Sequence, residues 1–250
     1  MSDDKKLEVK QANKFLYNKI AGDYEKIDGR RSEKLLFWLR RRLEHISREF
    51  YVKDKLLDIG CGNGFVLRAA EGIFNKRYGF DISDKILKKA SIFADGVVCA
   101  DADFMPFMDK SIDAVMLFSA LHHFYDYKDM IREIHRVLKP GGILYIDHDI
   151  SKEFVGRFGF LVWLYRNLFR RKNRYLLAGI EEKTYDLSEF HSGGIDADKI
   201  LTYLMESGFK IYENYCHWYG LNSLTDCIFK NKRYKQKDAP LISIVAEKRR

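Results

Sequence analysis

The chain has 250 residues, 46% of them hydrophobic, which is enough for one α/β domain with a large core and an added lid or insertion. No stretch is long and apolar enough to span a bilayer, and the charged N-terminus lacks the apolar run of a signal peptide. The 4 cysteines form no CxxC pair, which argues against a disulfide framework or a zinc site and favours a reducing compartment. We therefore expect a cytoplasmic protein.

The formal net charge of +8 is concentrated in patches of lysine and arginine. The patches lie at residues 40–42, 166–174, 230–237 and 248–250. Such patches can attract nucleic acid, anionic lipid or phosphorylated substrates. Solvated helix faces and a basic tail are the simpler interpretation, so no specific nucleic-acid partner is expected.

Two helices are predicted before the first strand. Residues 10–21 place apolar side chains on one side, and residues 33–50 place leucines at helical spacing. Ser32 or Asp28 can cap the second of these helices. The first 50 residues are therefore interpreted as a helical cap.

The stretch 56–65 predicts a strand, a tight turn and the start of a helix. The strand carries Asp58, and glycines follow at alternate positions, Gly60, Gly62 and Gly64. Glycine lets backbone approach a ligand closely and adopt a positive φ, and the helix start offers free N–H groups to an anion. A tight βα turn without a ligand is the alternative interpretation of this stretch alone.

Strands and helices then alternate, which indicates a parallel sheet covered on both faces. Strands are predicted over 76–80, 96–100, 112–118 and 143–146, and helices over 84–93 and 128–138. Polar residues follow each strand: Asp81, Asp101, the run from Ser119 to His123, and the run from Asp147 to Asp149. Ligands bind outside the carboxyl ends of such strands, so these residues predict one cleft.

The alternation stops after residue 150. Residues 154–165 are apolar nearly all round and run into the basic residues 166–174, and 184–194 is predicted to be a polar loop. A helix capped by Asp196 and two further strands, over 209–219 and 241–246, end the chain. A short helix is possible between these strands, at 224–229. The segment 151–194 is therefore predicted to be an insertion that passes over the cleft.

The residues at two strand ends describe a pocket for an adenosine. Asp81 lies about twenty residues beyond the glycine turn, where a carboxylate can accept hydrogen bonds from both ribose hydroxyls; a surface aspartate is the alternative. Ile82 can pack on an adenine face, and Asp101 and Ala102 can meet its amine and a ring nitrogen. A dinucleotide would favour a third glycine where Phe65 stands.

Over about residues 54–149 the chain resembles the class I S-adenosylmethionine-dependent methyltransferases. The motifs that carry the resemblance are Asp58-Ile59-Gly60-Cys61-Gly62-Asn63-Gly64, Gly79-Phe80-Asp81-Ile82-Ser83, Asp101-Ala102-Asp103 with Pro106-Phe107, Ser111-Ile112-Asp113-Ala114-Val115, Leu121-His122-His123 and Leu138-Lys139-Pro140-Gly141-Gly142. Their wording is most similar to the type 11 subgroup, which acts on small molecules and includes quinone-biosynthesis enzymes. The resemblance implies a single domain over residues 1–250. It also implies a Rossmann-like sheet of seven mostly parallel strands, with helices on both faces and the last strand antiparallel.

The resemblance also implies S-adenosylmethionine as cofactor and a role for each motif. The implied cofactor-binding residues are Gly60, Cys61, Gly62, Gly64, Phe118 and Ser119 at the methionine end, Asp58 toward its amino group, Asp81 at the ribose, and Ile82, Asp101 and Ala102 around the adenine. Cys61 is expected to be a small residue in a tight turn rather than a reactive thiol. The N-terminal Tyr17 and Tyr24 are expected to close over the cofactor or to lie on the surface.

Methyl transfer from an activated sulfonium needs in-line alignment of the reacting atoms, and a base only where the acceptor must lose a proton. The candidate bases are His122, His123, Asp147 and His148, with His191 as a weaker candidate. For the histidine pair, packing around the cofactor is the alternative role. No metal site is expected, although His148 followed by an aspartate keeps one open.

The acceptor is expected to be a small molecule: apolar, quinone-like, a sugar or lipid-linked. The net charge leaves an RNA methyltransferase as an alternative, but no RNA-binding module is evident, and 119–122 lacks the motif of enzymes that methylate base amines. A non-catalytic cofactor-binding protein is the second alternative. Residues 154–174 are interpreted as core or lid packing, as a wall of an apolar acceptor pocket, or as a site of peripheral membrane contact.

Overall fold

In the computed structural model, which describes residues 2–27, 32–169 and 171–249, seven strands form one sheet. The strands are β1 (Lys55–Ile59), β2 (Lys76–Asp81), β3 (Gly96–Cys99), β4 (Ile112–Phe118), β5 (Leu138–Ile150), β6 (Phe209–His217) and β7 (Leu241–Lys248). Their order is β3-β2-β1-β4-β5-β7-β6. β7 runs antiparallel to both neighbours and the other pairs are parallel. The predicted Rossmann-like sheet with an antiparallel last strand is confirmed.

Helices cover both faces of this sheet. They are α1 (Ser2–Ile20), α2 (Tyr24–Ile27), α3 (Glu33–Glu49), α4 (Phe65–Ala69), α5 (Asp84–Ala90), α6 (Lys128–Val137), α7 (Lys152–Phe169), α8 (Arg171–Leu177), α9 (Glu182–Ser188), α10 (Ala197–Glu206) and α11 (Ser223–Phe229). Side chains of α3 and α4 pack on one face, and side chains of α6 and α10 pack on the other.

β4 shows why the sheet needs cover on both faces. Residues 114–118 are apolar in succession, so alternate side chains point to opposite faces and both sets must be buried. Val115 and Leu117 pack in the core on the α6 side, while Ala114 and Met116 pack in the core on the α3 side. β4 is therefore central in the sheet, as this apolar run indicates.

Three predicted helix caps are confirmed. The side chains of Ser32, Ser83 and Asp196 accept hydrogen bonds from the backbone amides of Leu35, Ile86 and Lys199. Asp28, the other candidate cap for α3, lies outside the described residues.

Three boundaries differ from the prediction. α1 begins at Ser2 rather than near residue 10, because its charged first half makes tertiary ion pairs that the sequence pattern does not reveal. β5 begins at Leu138 rather than at 143, since Leu138 already pairs with Ile112 across a register shift. The predicted polar loop over 184–194 is wrong in its first half, where α9 packs against α1 through Tyr185.

In the described part of the chain, none of the helices combines the length and apolar character needed to cross a membrane.

Candidate functional site

The glycine turn after β1 folds back over the end of β2. The Gly60 amide donates to the Phe80 carbonyl oxygen at 2.8 Å, and the Gly62 amide donates to Asp81 Oδ2 at 3.0 Å. Gly60 and Gly62 have φ of +69° and +52°. A Cβ on Gly60 would lie 3.0 Å from Ala120 Cβ, and one on Gly62 would lie 3.1 Å from the Tyr24 hydroxyl. These positions therefore require glycine for both conformation and space.

A cleft opens at the carboxyl ends of β1, β2, β3 and β4, and the space within it, counted out to open solvent, is about 1180 Å³. Among the residues that line it are Asp58, Gly60, Cys61, Gly62, Asp81, Ile82, Asp101, Ala102, Phe118, Ser119, His122 and His123. The structure thus brings together all but one of the predicted cofactor residues and both histidines of the pair.

Two buried carboxylates lie side by side under the glycine turn. Asp81 accepts hydrogen bonds from the amides of Ser83 and Gly62, yet burial raises the pKa of its carboxyl above the ordinary value. Asp58 is 1% exposed, and its Oδ2 has no hydrogen-bond partner. Burial and the charge of Asp81 raise the pKa of Asp58 well above its ordinary value. An unsatisfied buried carboxylate is costly, so this pair suits a ligand that supplies hydroxyls and a cationic amine.

Charged residues of α1 approach the end of β3, where the adenine is expected. Lys10 Nζ lies 2.5 Å from Asp101 Oδ2 and also contacts Asp103. Lys6 Nζ lies 2.7 Å from Asp103 Oδ2 and 2.8 Å from Asp129 Oδ2. Burial opposes the charge on Lys6, but its hydrogen bonds to the two aspartates outweigh burial and raise its pKa. The ion pairs hold α1 across the cleft.

The sequence prediction missed Lys6, Lys10, Asn13 and Asp103 as cleft residues. A signal for the helical residues was present, because positions 6, 10, 13 and 17 repeat at the spacing of one helix face. Tyr17 and Tyr24, which were singled out, also line the cleft. Of the two roles considered for them, the placement over the cleft is therefore the correct one.

The histidine pair is held from behind by hydrogen bonds. His122 Nδ1 lies 2.6 Å from Asp149 Oδ1, and Asp149 also accepts from the amides of Leu121 and His122. His123 Nδ1 lies 2.7 Å from the Ser188 carbonyl oxygen, and its Nε2 lies 2.8 Å from the Tyr17 hydroxyl. Both rings are thereby fixed at the cleft.

Comparison with known proteins relates this cleft to methyltransferases. The family model described as "Methyltransferase domain" matches residues 57–146. A solved S-adenosylmethionine-dependent methyltransferase from Clostridium acetobutylicum superposes with a TM-score of 0.61 at 14% identity, over 94% of this chain and 99% of that one. At that identity the likeness shows the fold alone.

Relatives in sequence are similar over parts of the chain. An uncharacterised protein of Methanocaldococcus jannaschii is 38% identical over 54% of this chain and 50% of its own length. The 27-O-demethylrifamycin SV methyltransferase of Amycolatopsis mediterranei is 42% identical over 36% of this chain and 37% of its own length. The demethylmenaquinone methyltransferase of Lysinibacillus sphaericus is 28% identical over 65% of this chain and 69% of its own length. The chain thus spans half or less of the first two relatives.

Residues 57–146 thus match a methyltransferase domain. The cofactor that this match implies is S-adenosylmethionine, and the residues present fit it. The partnerless Asp58 Oδ2 offers an acceptor for its amino group, and Asp81 borders the cleft where a ribose is expected. Burial raises the pKa of the Cys61 thiol well above its ordinary value, which agrees with an inert residue in a tight turn.

One predicted cofactor residue of the methyltransferase domain, Gly64, does not line the cleft. It precedes α4 with φ of +89°, and a Cβ there would lie 3.0 Å from Ala90 Cα and 3.1 Å from the ring of Phe93. Gly64 therefore allows α4 to pack closely against α5, a role that its place in the motif does not distinguish from ligand contact.

Two predicted bases, Asp147 and His148, also lie outside the cleft lining. Asp147 is fully buried and accepts hydrogen bonds from His148 Nδ1 at 2.5 Å, His217 Nε2 at 2.8 Å and the Tyr145 hydroxyl at 2.5 Å. Burial alone would raise the pKa of Asp147, but the two histidines outweigh it and lower that pKa. A buried carboxylate that already accepts three hydrogen bonds cannot serve as a base in the cleft. The prediction that Asp147 and His148 are bases in the cleft is therefore wrong.

A β-bulge at His148 explains why Asp149, rather than Asp147, contacts the histidine pair. Strict alternation would place both on the same face of β5. His148 has φ of +68°, and the pairing of β5 with β7 shifts between Asp147 and Asp149. The extra residue turns Asp149 toward His122, whereas Asp147 remains on the side of Tyr145. His148 stacks on Phe118 with ring centroids 4.2 Å apart, so it supports the cleft wall.

The insertion supports the histidines from outside the cleft. None of the described residues within 151–194 lines the cleft. Instead, Ser188 binds His123, and Glu189 Oε2 lies 3.8 Å from His122 Nε2. His191, the weaker candidate base, donates its backbone amide to the His122 carbonyl oxygen, and burial lowers the pKa of its ring. It too lies behind the cleft rather than in it.

Proposed function

We propose that this chain transfers a methyl group from S-adenosylmethionine to a small-molecule acceptor. The observation that carries the proposal is a single cleft that combines the glycine turn and two buried carboxylates with a histidine fixed by a buried aspartate. The cofactor supplies the activated methyl group when it is bound. The protein then has to orient the acceptor, exclude water and accept a proton where the acceptor carries one.

His122 is the base in this proposal, and Asp149 is its positioning residue. Burial by itself would raise the pKa of Asp149, but hydrogen bonds from His122 and from backbone amides outweigh it and hold that pKa below its ordinary value. An ionised carboxylate only accepts hydrogen bonds, so Nδ1 of His122 carries a proton and Nε2 is the nitrogen left to exchange one. Glu189 Oε2 lies 3.8 Å from that nitrogen, and His122 lines the cleft, where its neutral form would take a proton from an acceptor hydroxyl.

The chemistry of the cleft favours an apolar or aromatic acceptor with an ionisable hydroxyl. Phe118, Phe124 and Tyr125 contribute rings to the lining, beside the histidine pair. Two relatives are named for methylation of demethylmenaquinone and of 27-O-demethylrifamycin SV. Those names support a quinone-like or phenolic small molecule as the substrate class here.

The proposal is tested in two steps. Calorimetry should give low-micromolar binding of S-adenosylhomocysteine, on the order of −7 to −8 kcal/mol. Tritium transfer from labelled cofactor should then favour reduced naphthoquinones and phenols over total RNA. Transfer to RNA alone would indicate the RNA methyltransferase instead, and cofactor binding without transfer to any acceptor would indicate a non-catalytic protein.

Substitutions test the assignment of the base. His122→Gln should lower kcat by about 10²–10⁴-fold, since this is the usual contribution of general acid–base catalysis. Asp149→Asn should lower kcat and alter its pH profile while cofactor affinity is kept. His45→Gln, at a side chain that is 57% exposed on α3, is the matched control. Unchanged kcat in His122→Gln would exclude His122 as the base.

A further inference from the structure

The face of α7 carries large apolar side chains that remain exposed. Phe160 is 71% exposed, Leu161 58%, Trp163 59% and Leu164 46%. Positions 160, 163 and 164 share one side of a helix. Exposed apolar groups of this size on contiguous positions mark an interaction surface.

The sequence around this face is strongly cationic. Residues 154–180 contain six basic residues and no acidic one. The basic residues are Arg157, Arg166, Arg170, Arg171, Lys172 and Arg174. Within the described structure, Arg157 pairs with Asp238 and Lys172 pairs with Glu182 and Asp186. In the sequence, Arg166, Arg170, Arg171 and Arg174 follow the apolar stripe of α7, and the segment 154–180 as a whole adds six positive charges and no negative one to the chain.

We propose that α7 and α8 form a docking surface for an anionic phospholipid bilayer. Exposed aromatic and leucine side chains in a segment of strongly positive sequence suit the boundary between acyl chains and acidic headgroups. The positive charge and the apolar side chains each disfavour one alternative partner. A second copy of the chain on the same surface would bring two cationic segments together, and a nucleic acid would leave the apolar stripe without cover.

The surface is separate from the methyltransferase cleft but next to its cap. The cleft lining includes none of the described residues of α7 or α8. Tyr175 of α8 packs in one core with Leu16 and Ile20 of α1, the helix that also carries Tyr17. A bilayer held by α7 and α8 would therefore lie beside the helix that covers the cleft, and binding can be measured without any acceptor.

Vesicle binding tests the proposal with the full chain. Co-sedimentation should show at least tenfold stronger partition into phosphatidylcholine vesicles with about 30% phosphatidylglycerol than into pure phosphatidylcholine. Raising the salt to about 0.5 M should weaken this binding, because it screens the headgroup charge. Brominated lipid should quench tryptophan emission in the wild type and much less in Trp163→Phe, which keeps the buried Trp38 and the partly exposed Trp218.

A pair of matched double variants assigns the binding to this face. Phe160→Ser/Leu164→Ser should lower partition into the anionic vesicles at least tenfold. Phe37→Ser/Ile92→Ser removes a phenylalanine and an aliphatic residue of leucine's size at sites that are 64% and 76% exposed elsewhere, and it should bind as the wild type does. Circular dichroism and S-adenosylhomocysteine binding check that both variants are folded.

Three results would overturn the proposal. Wild-type protein that partitions equally weakly into both vesicle types has no such surface. Equal loss of binding in both double variants would show that general surface hydrophobicity is responsible. A wild-type dimer in sedimentation velocity that Phe160→Ser/Leu164→Ser converts to monomer would make this face a contact between copies of the chain.

Discussion

Replacing Asp58 by asparagine should stabilise the empty protein and weaken its binding of cofactor. Asp58 is buried at 1% exposure, its Oδ2 has no hydrogen-bond partner, and Asp81 is its charged neighbour. Leaving such a buried group unsatisfied costs about 1–3 kcal/mol. Asp58→Asn removes the charge at nearly constant volume but keeps a buried polar atom without a partner, so the free energy of unfolding at pH 7 should rise by about 1 kcal/mol, the lower end of this range.

The stability that Asp58→Asn gains over the wild type should increase with pH. Burial raises the pKa of Asp58 in the folded state, whereas the unfolded chain keeps a value of about 3.9. The protonated carboxyl therefore stabilises the fold fully below that value, and this stabilisation is lost as the pH rises through the folded-state pKa. Since asparagine does not titrate, the two proteins should be about equally stable near pH 4, and the variant should gain toward neutral pH.

Binding of S-adenosylhomocysteine should change the difference in stability between the two proteins, because it should stabilise the wild type more than Asp58→Asn. At a concentration of S-adenosylhomocysteine 100-fold above its Kd, wild-type protein gains about 2.7 kcal/mol. If the ligand's amino group is the missing partner of Asp58, its loss costs about 2 kcal/mol. At the same concentration the variant then gains only about 0.9 kcal/mol. The ligand should thus raise Tm clearly less in Asp58→Asn.

Thermal unfolding followed by calorimetry between pH 4 and 8, with and without S-adenosylhomocysteine, measures both effects. A change of 1 kcal/mol corresponds to about 2–4 °C in Tm for a chain of this size. Asp54→Asn makes the same substitution at a side chain that is 49% exposed, and it should change neither quantity. An empty Asp58→Asn protein that is no more stable at pH 7, or equal ligand stabilisation of both proteins, would refute this reasoning.

Three further substitutions test the cofactor side of the cleft. Asp81→Ala should weaken S-adenosylhomocysteine by about 2–3 kcal/mol, since two ribose hydroxyls lose a charged acceptor; equal weakening of a 2′,3′-dideoxy analogue would instead implicate the lost hydrogen bond to Gly62. Gly62→Val should abolish binding in calorimetry, whereas Gly72→Val, also at positive φ but with only Arg40 Nη2 within 4 Å of its Cβ, should cost stability alone. Lys10→Met should speed ligand dissociation in stopped-flow measurements by about tenfold, because α1 loses its ion pairs to Asp101 and Asp103; an unchanged rate would show that α1 does not hold the ligand.

The sequence predicts those parts of the site that follow from strand periodicity. A polar residue at or just beyond the last positions of a parallel strand must lie near the carboxyl edge of the sheet. Asp58, Asp81, Asp101 and Ser119 are all found there, in the cleft lining. Helix caps are also predicted well from the local sequence, as Ser83 at the start of α5 shows.

Two features depend on tertiary contacts and therefore cannot be predicted from a sequence pattern. The bulge at His148 comes from pairing with β7, which is about a hundred residues away in the chain. It decides that Asp149, and not Asp147, reaches the histidine pair. The first turns of α1 are charged, with a weak apolar stripe, and they are stabilised by aspartates that lie far along the sequence.

The side of the cleft with the glycine turn and the side with the histidine pair are built from different parts of the chain. The glycine turn and the carboxylates Asp58, Asp81 and Asp101 all fall within residues 57–146, the part that matches the methyltransferase family. The groups around the histidine pair come from outside it: Tyr17 from α1, Asp149 from the end of β5, and Ser188 and Glu189 from the insertion. In the proposed function, cofactor binding is therefore assigned to the shared part of the chain, while the surroundings of the proposed base are built from segments that the family match does not include. Candidate acceptors should accordingly be chosen by the chemistry of this cleft, an aromatic lining beside a histidine that Asp149 holds through Nδ1, more than by the names of the relatives.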